Sequence, residues 1–191
     1  PAGEYTSTLE LLESGILDDA GLTTIGVAGH PEGNPNIPPE TAWDALVRKQ
    51  AWSRRTGIAM HVATQFGFDT AALATFDAGL TARGVTLPVH VGVAGPASLK
   101  SLAKFAAMCG IGASLGALLT NPGALGALKS LVRTIDEIFP AVVRLREGPL
   151  AQRLVQPHFF AFGGVMKTVE WLEAVRNGRF MIADAAIVLR T

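Results

Sequence analysis

Polar side chains follow two apolar, β-branched segments of the chain, and their types suit the binding of a flat polar ring. His30 and Glu32 come after the segment 22–28, and Gln65 closes the segment 58–65. An imidazole can hydrogen-bond to a ring or stack on it, and a carboxylate can orient a ring or a hydroxyl. A primary amide offers an acceptor and two donors, which complement a heterocycle edge with adjacent N–H and C=O groups, such as a pterin edge.

Each of these side chains also has an ordinary structural interpretation. His30 and Glu32 would then be solvated in a loop stiffened by Pro31 and Pro35, and Gln65 would satisfy exposed backbone at the rim of a sheet. Residue spacing alone leaves both interpretations open.

Two aromatic side chains follow the end of the second segment. Phe66 and Phe68 come one and three residues after Gln65, and one of these rings could turn toward the same edge. That ring could pack on a flat ligand, although packing in the core is the ordinary outcome for either ring.

The remaining chemistry-bearing residues predict no hydrolytic, phosphoryl-transfer or metal site. His61, His90 and His158 fall inside or at the start of predicted strands, without the HxxxH or HxH spacing of metal ligands. The sequence has no GxSxG elbow and no P-loop. Cys109 is the single cysteine, which excludes an intrachain disulfide and fits a packed thiol in a reducing, cytoplasmic compartment.

Four apolar segments alternate with helical ones, which predicts an α/β fold with a parallel sheet. The predicted strands are 22–28, 58–65, 86–93 and 157–162, and the predicted helices are 4–20, 39–55, 70–83, 98–108, 123–138, 140–154 and 168–175. Four βα units make half of a (β/α)8 TIM barrel, whose complete form takes about 250 residues. The tail 180–189 is apolar and receives no assignment.

The competing fold is an open, doubly wound sheet. Its usual nucleotide fingerprint is a GxGxxG turn after a strand, and Gly26, Gly29 and Gly33 do not have that spacing. The barrel interpretation is therefore favoured, with residues 1–191 forming a single-domain fragment that supplies about the last four βα units. The first residue is Pro1 rather than Met, and we expect the chain to be part of a longer protein.

Composition excludes two broad classes of partner. Lys plus Arg and Asp plus Glu number 16 each, so the chain lacks the basic excess of a general nucleic-acid binder. The stretch 105–128 is uncharged, but scattered glycines and Asn121-Pro122 interrupt it. Because a membrane span needs about 20 uninterrupted apolar residues, two short buried helices are predicted there instead.

Four motifs together resemble the methylenetetrahydrofolate reductase family. They are His-Pro-Glu-Gly-Asn-Pro at 30–35, Thr-Gln-Phe-Gly-Phe-Asp at 64–69, a looser Val-Gly-Val-Ala-Gly-Pro at 91–96, and His-Phe-Phe at 158–160. The match at 64–69 is the most specific, and the resemblance extends over about residues 20–175. It implies a flavin-dependent eightfold barrel of which this chain is the second half, with the missing amino-terminal half and a homo-oligomeric state as expected partners.

The resemblance also implies residues that contact the cofactor FAD. His30 would lie against the flavin, and Asn34 would follow in the cofactor loop. Lys49 is the candidate for the basic residue near the FAD phosphates, with Arg54 as the second choice.

On the substrate side, the resemblance implies that Gln65 holds the pterin ring and that Leu99 and Ser101 lie on a helix lining the folate site. Gly163 and Gly164 stand where the family usually has an arginine for the folate tail, and Lys167 is the candidate replacement. The glutamine often found near Ser101 in the family is absent. The family's general acid and the aspartate beside the flavin belong to the missing half, so no catalytic residue and no metal ligand is predicted here.

The implied activity is an oxidoreductase of one-carbon metabolism. It would interconvert 5,10-methylenetetrahydrofolate and 5-methyltetrahydrofolate by hydride transfer through the flavin, with NADH or NADPH as co-substrate. One alternative is a non-catalytic folate-binding or assembly subunit of related fold. Another is a different flavin or deazaflavin barrel.

Overall fold

The computed structural model describes residues 3–67, 69–109, 134–147 and 153–190. In chain order the elements are α1 (Thr8–Glu13), β1 (Thr24–Gly29), α2 (Pro39–Thr56), β2 (Ala59–Thr64), α3 (Thr70–Ala82), β3 (Val89–Ala94), α4 (Leu99–Met108), α5 (Ile135–Glu147), β4 (Leu154–Phe160), α6 (Val165–Arg176), β5 (Phe180–Ala183) and β6 (Ala186–Leu189).

Strands β1 to β4 form one parallel sheet in the order β1-β2-β3-β4, so each strand lies beside the next one along the chain. Helices connect the strands, as repeated βα units require. The prediction of an α/β fold built from alternating units is confirmed. All four carboxyl ends lie at one edge of this sheet, which we call the carboxyl edge, and the opposite edge is the amino edge.

Local sequence signals set the ends of several helices. Ser7, Asp69 and Ser98 each accept a backbone N–H with the side chain at the start of a helix. Gly57 ends α2 with φ of 74°, a left-handed conformation that glycine adopts without a steric cost.

The apolar core lies on one face of the sheet. Strand residues such as Val27, Val62 and Val91 are buried and pack with helix residues such as Leu80 and Trp171. Burying each such side chain contributes about 1.5–3 kcal/mol relative to exposure. The helices therefore hold the sheet from this side.

The opposite face carries small and polar residues. On β1 and β2 its positions are exposed or half-buried and include Gly26, Ala28, Ala59 and His61. Parallel sheets are ordinarily covered on both faces. Within the described ranges, the main helical core covers one face, and a smaller cluster with α4 packs on Ala94 and Phe160 of the other face near the carboxyl edge.

Several predicted boundaries are wrong. The amino-terminal helix spans only Thr8–Glu13 instead of 4–20, β3 begins at Val89 rather than at 86, and α6 begins at Val165 rather than at 168. Pro140 does not separate two helices but lies inside α5, where it is buried.

The predicted helix 140–154 is wrong at its end, because α5 ends at Glu147 and Leu154 already pairs with Val89 at the start of β4. The unassigned tail is an antiparallel hairpin, β5–β6, whose turn places Asp184 and Ala185 at φ of 48° and 62°. That turn lacks glycine, so its sequence gives little hairpin signal.

Some expectations fall outside the described residues: the packing of Phe68, most of the predicted helix 123–138, and the glycine-rich part of the stretch 105–128. Among the helices that the structure does describe, none combines the length and apolar character needed to cross a membrane.

Gln50 joins α2 to the turn before β3. Its side chain is only 4% exposed; Oε1 accepts from the Thr86 N–H at 2.6 Å, and Nε2 donates to the Gly84 carbonyl at 3.0 Å. These backbone groups precede β3 at the amino edge, so the amide replaces a missing backbone partner.

Replacing Gln50 by leucine should lower the free energy of unfolding by about 1–3 kcal/mol, because it leaves partly buried backbone groups unpaired. Urea denaturation followed by far-UV circular dichroism measures this change. Val47→Ala, on the exposed side of the same helix, is the control and should change the value by less than about 0.5 kcal/mol. Equal effects of the two substitutions would contradict the role of the amide.

Candidate functional site

His30 and Gln65 meet at the carboxyl edge of the sheet. Each residue directly follows its strand, and the Gln65 N–H donates to the Gly29 carbonyl at 2.9 Å, which continues the pairing of β1 with β2. The His30 Nδ1 atom lies 2.9 Å from Gln65 Oε1. The two residues that the sequence singled out are thus in direct contact, 35 positions apart along the chain.

The Gln65 amide also holds the loop after β1. Its Nε2 donates to the Gly33 carbonyl at 3.0 Å, and Gly33 has φ of 82°. Because a carbonyl oxygen only accepts, the contact with His30 requires a hydrogen on Nδ1 of the imidazole. The neutral ring then presents Nε2 as an acceptor.

This arrangement leaves part of the amide free for a ligand. A primary amide has two N–H donors and two lone pairs on oxygen. Among the described residues, His30 takes one lone pair and Gly33 takes one donor, so one acceptor and one donor remain on the half-buried side chain. That is the complement of a ring edge with adjacent N–H and C=O groups.

Glu32 connects two loops at the carboxyl edge, which we call the rim loops: the first follows β1 and the second follows β2. Its Oε1 accepts from the Asp69 N–H at 3.3 Å, while Asp69 Oδ1 caps α3 through the Ala71 N–H at 2.8 Å. A Cβ atom at Gly67 would overlap the Glu32 carboxylate, so the carboxylate lies directly against the backbone of this loop. Glu32 therefore has a structural role, as a bridge between loops, that its position in the sequence did not predict.

The junction between β2 and β3 at this edge is made by a side chain. Thr64 Oγ1 accepts from the Gly92 N–H at 2.8 Å, and both residues are buried. A Cβ atom at Gly92 would overlap the carbonyl oxygens of Thr64 and Gln65. Glycine at 92 thus lets β3 approach the strand that carries Gln65.

Phe66 belongs to the core and not to the rim. It is 1% exposed and packs edge-on against Phe162 with ring centroids 4.8 Å apart. Phe162 in turn stacks on Phe105 at 4.2 Å. The structure therefore supports packing in the core as the role of the Phe66 ring.

The other residues implied to contact the ligands take part in local structure. Asn34 Oδ1 accepts from the Asn36 N–H at 2.9 Å within the first rim loop. Ser101 donates its N–H to the Ser98 side chain at the start of α4, and Leu99 packs beside the aromatic cluster around Phe66. All of these lie in loops or first helical turns that follow strands, on the carboxyl side of the sheet.

Lys49 lies farther along α2, away from the carboxyl edge. It is ten residues into α2, which corresponds to about 15 Å along the helix axis from its start. Its side chain is 9% exposed, and burial lowers the pKa of its ammonium group. Arg54 is exposed and donates to Thr86 Oγ1, close to the amino edge. Neither cation is brought to His30.

The space between the rim and the helices is small. A cavity of about 10 Å³ lies between Gln65 and Gly92 on one side and Leu73 and Ile138 on the other. This is about the room that one water molecule needs. This cavity is too small for a ring-sized ligand.

No set of three or more candidate metal-binding side chains is found among the residues that the structure describes. Burial raises the pKa of the Cys109 thiol, which keeps it protonated and poorly nucleophilic. A comparison of the chain with protein-family models finds no family that matches.

The contact between His30 and Gln65 predicts a tautomer. In the neutral state His30 should carry its hydrogen on Nδ1, and long-range ¹H–¹⁵N correlation spectra distinguish the two ring nitrogens. In Gln65→Ala the Nδ1–H population should fall, because the acceptor is gone. His90, which does not contact Gln65, is the internal control. An unchanged His30 tautomer in the variant would show that the amide does not set it.

Proposed function

We propose that this chain is the second half of a (β/α)8 barrel that interconverts 5,10-methylenetetrahydrofolate and 5-methyltetrahydrofolate, using FAD and NADH or NADPH. The observation that carries the proposal is the Gln65 amide, which is fixed by His30 and keeps one donor and one acceptor free. A pterin ring presents the complementary pair on one edge. The resemblance of residues 64–69 to the reductase family supports the same role.

The sheet supports the barrel part of this proposal. Four strands in sequential parallel order, with the described helical core on one face, are what half of a closed barrel requires. The missing amino-terminal half would cover the other face and pair with the free edges of β1 and β4. A homo-oligomer of the completed protein is part of the proposal.

The described residues fit the ring end of FAD better than its diphosphate. His30 and the small residues Ala28 and Ala63 leave an open surface below the rim, where a flat ring can lie. Lys49 is buried away from that edge. The exposed cations in the first turns after strands are Lys100 on α4 and Lys167 on α6, which are better placed for an anionic tail.

The residues of this chain would bind and orient, not transfer protons. Gln65 would hold the folate ring by its edge, and His30 would lie against the flavin, so that the reacting atoms approach to about 3–3.5 Å. Bound FAD would supply the hydride chemistry. The proton donor would come from the half of the barrel outside this chain.

A non-catalytic folate-binding subunit is the second candidate. The position of Lys49 favours it, because the chain then has no described cation at the place where the resemblance expects one for the FAD phosphates. A purified full-length protein without a flavin absorbance band that still binds folate would decide for this alternative.

The enzyme proposal is tested on the full-length polypeptide by Gln65→Ala. We expect the Kd for methyltetrahydrofolate to rise about 10-fold to 100-fold, since two hydrogen bonds of about 0.5–1.5 kcal/mol are lost. Flavin absorbance should remain, and oxidation of methyltetrahydrofolate with a dye acceptor should fall in parallel.

The matched control is Gln156→Ala, which removes the same amide from the middle of β4. It should leave folate affinity within about twofold, a difference that corresponds to less than about 0.5 kcal/mol. Unchanged folate affinity in Gln65→Ala would contradict the assignment of Gln65.

A further inference from the structure

The pairing between β2 and β3 is the shortest in the described sheet. The ladders of β1 with β2 and of β3 with β4 each contain six register pairs. Strands β2 and β3 share two, Val62 with Val89 and Ala63 with His90. We call this β2–β3 junction the seam. Two further bonds support it, from the Val62 N–H to the Pro88 carbonyl and from the Gly92 N–H to Thr64 Oγ1, both at 2.8 Å.

Two histidines stack across the seam on the sheet face away from the helices. The rings of His61 on β2 and His90 on β3 have centroids 3.8 Å apart and planes 20° apart. Gly26 on β1 makes room for this arrangement, because a Cβ atom there would lie 2.8 Å from His61 Nε2. The stack therefore adds a side-chain contact where backbone pairing is short.

The stack favours uncharged rings. On β4 the Gln156 Nε2 atom lies 3.3 Å from His90 Nδ1, and an amide nitrogen only donates, so this ring nitrogen accepts. Burial lowers the pKa of His61, and His158 lowers it further. Burial also lowers the pKa of His90, with His61 and His158 acting in the same direction.

No described carboxylate compensates a charge on these rings. The neighbours on β1 are Gly26 and Ala28, and the titratable neighbour on β4 is His158, which is also a base. In the described ranges neither His61 nor His90 forms an ion pair. Two imidazolium rings in this contact would repel each other without a screening anion.

We propose that the His61–His90 stack is a proton-sensitive switch that closes the seam when both rings are neutral and opens it when they are protonated. The closed seam binds fewer protons than the open one, because both histidines have lowered pKa values in the folded chain. Its stabilising effect is complete above the ordinary pKa of histidine and is lost as the pH falls below it. Opening would move Gln65, which follows β2, relative to Gly92 on β3. This inference rests on the sheet alone and not on the proposed function.

Hydrogen exchange tests the switch on the unaltered chain, from about pH 7.5 to about pH 5, where histidine titrates. The amides of Val62 and Gly92 report on the seam, while those of Ala59 and Gln65 bond to β1 or its preceding residue and report on the neighbouring ladder. Corrected for intrinsic rates, protection at the seam should fall severalfold as the pH falls through the range where histidine titrates. Protection of the neighbouring ladder should change much less.

The matched variants are His90→Gln and His61→Gln, each of which leaves one ring. In each, seam protection should lose part of its pH dependence, because one of the two titrating rings is gone. In His61→Gln the pKa of His90, followed by NMR, should rise toward its ordinary value, because the charge on His61 no longer lowers it. Constant seam protection in the unaltered chain would overturn the proposal. An equal fall of seam protection with pH in the unaltered chain and in either folded variant would also overturn the proposal.

Discussion

The parallel pairing of β1 with β2 is the constraint on which the candidate site depends. It places the residues that follow the two strands at the same edge of the sheet, although they are 35 positions apart along the chain. The helices supply the apolar contacts that hold this pairing from one side. Without the parallel register, the side chains of His30 and Gln65 would not be in contact.

The rim loops are held by side chains more than by regular backbone pairing. Gln65 fixes the loop after β1 through Gly33, and Glu32 fixes the loop after β2 through Asp69. These reciprocal contacts hold the edge in one arrangement before any ligand binds. Preorganisation of this kind reduces the ordering cost of binding.

Strand order and helix caps could be predicted from the sequence because the signals are local. Apolar β-branched runs predicted the four strands, and Asp69 and Gly57 marked helix ends at the places where the structure has them. The continuation of α5 through Pro140 could not be predicted in the same way, since proline favours a helix boundary while tertiary packing buries it within α5. The β5–β6 hairpin could not be predicted either, because its turn uses Asp184 and Ala185 at positive φ instead of the usual glycine.

The site itself was only partly predictable. The positions of His30 and Gln65 after strands indicated a shared edge, but the contact between them depends on register, which a single sequence does not specify. The roles of Glu32, Thr64 and Gly92 depend on atoms that lie on other strands or loops. Spacing along the chain carries no signal for such contacts.

The two six-pair ladders differ in how far apart their partners lie along the chain, and this difference affects how the chain folds. Partners in the β1–β2 ladder are 35 residues apart, as for Thr24 and Ala59, whereas Val89 and Leu154 of the β3–β4 ladder are separated by 65. Closing the longer loop costs more chain entropy, and distant pairings slow folding. Val62 and Val89 of the β2–β3 ladder are closer, 27 residues apart, but that ladder has two register pairs against six between β1 and β2. The β1–α2–β2 unit combines a short loop with an extensive ladder and is therefore the natural nucleus.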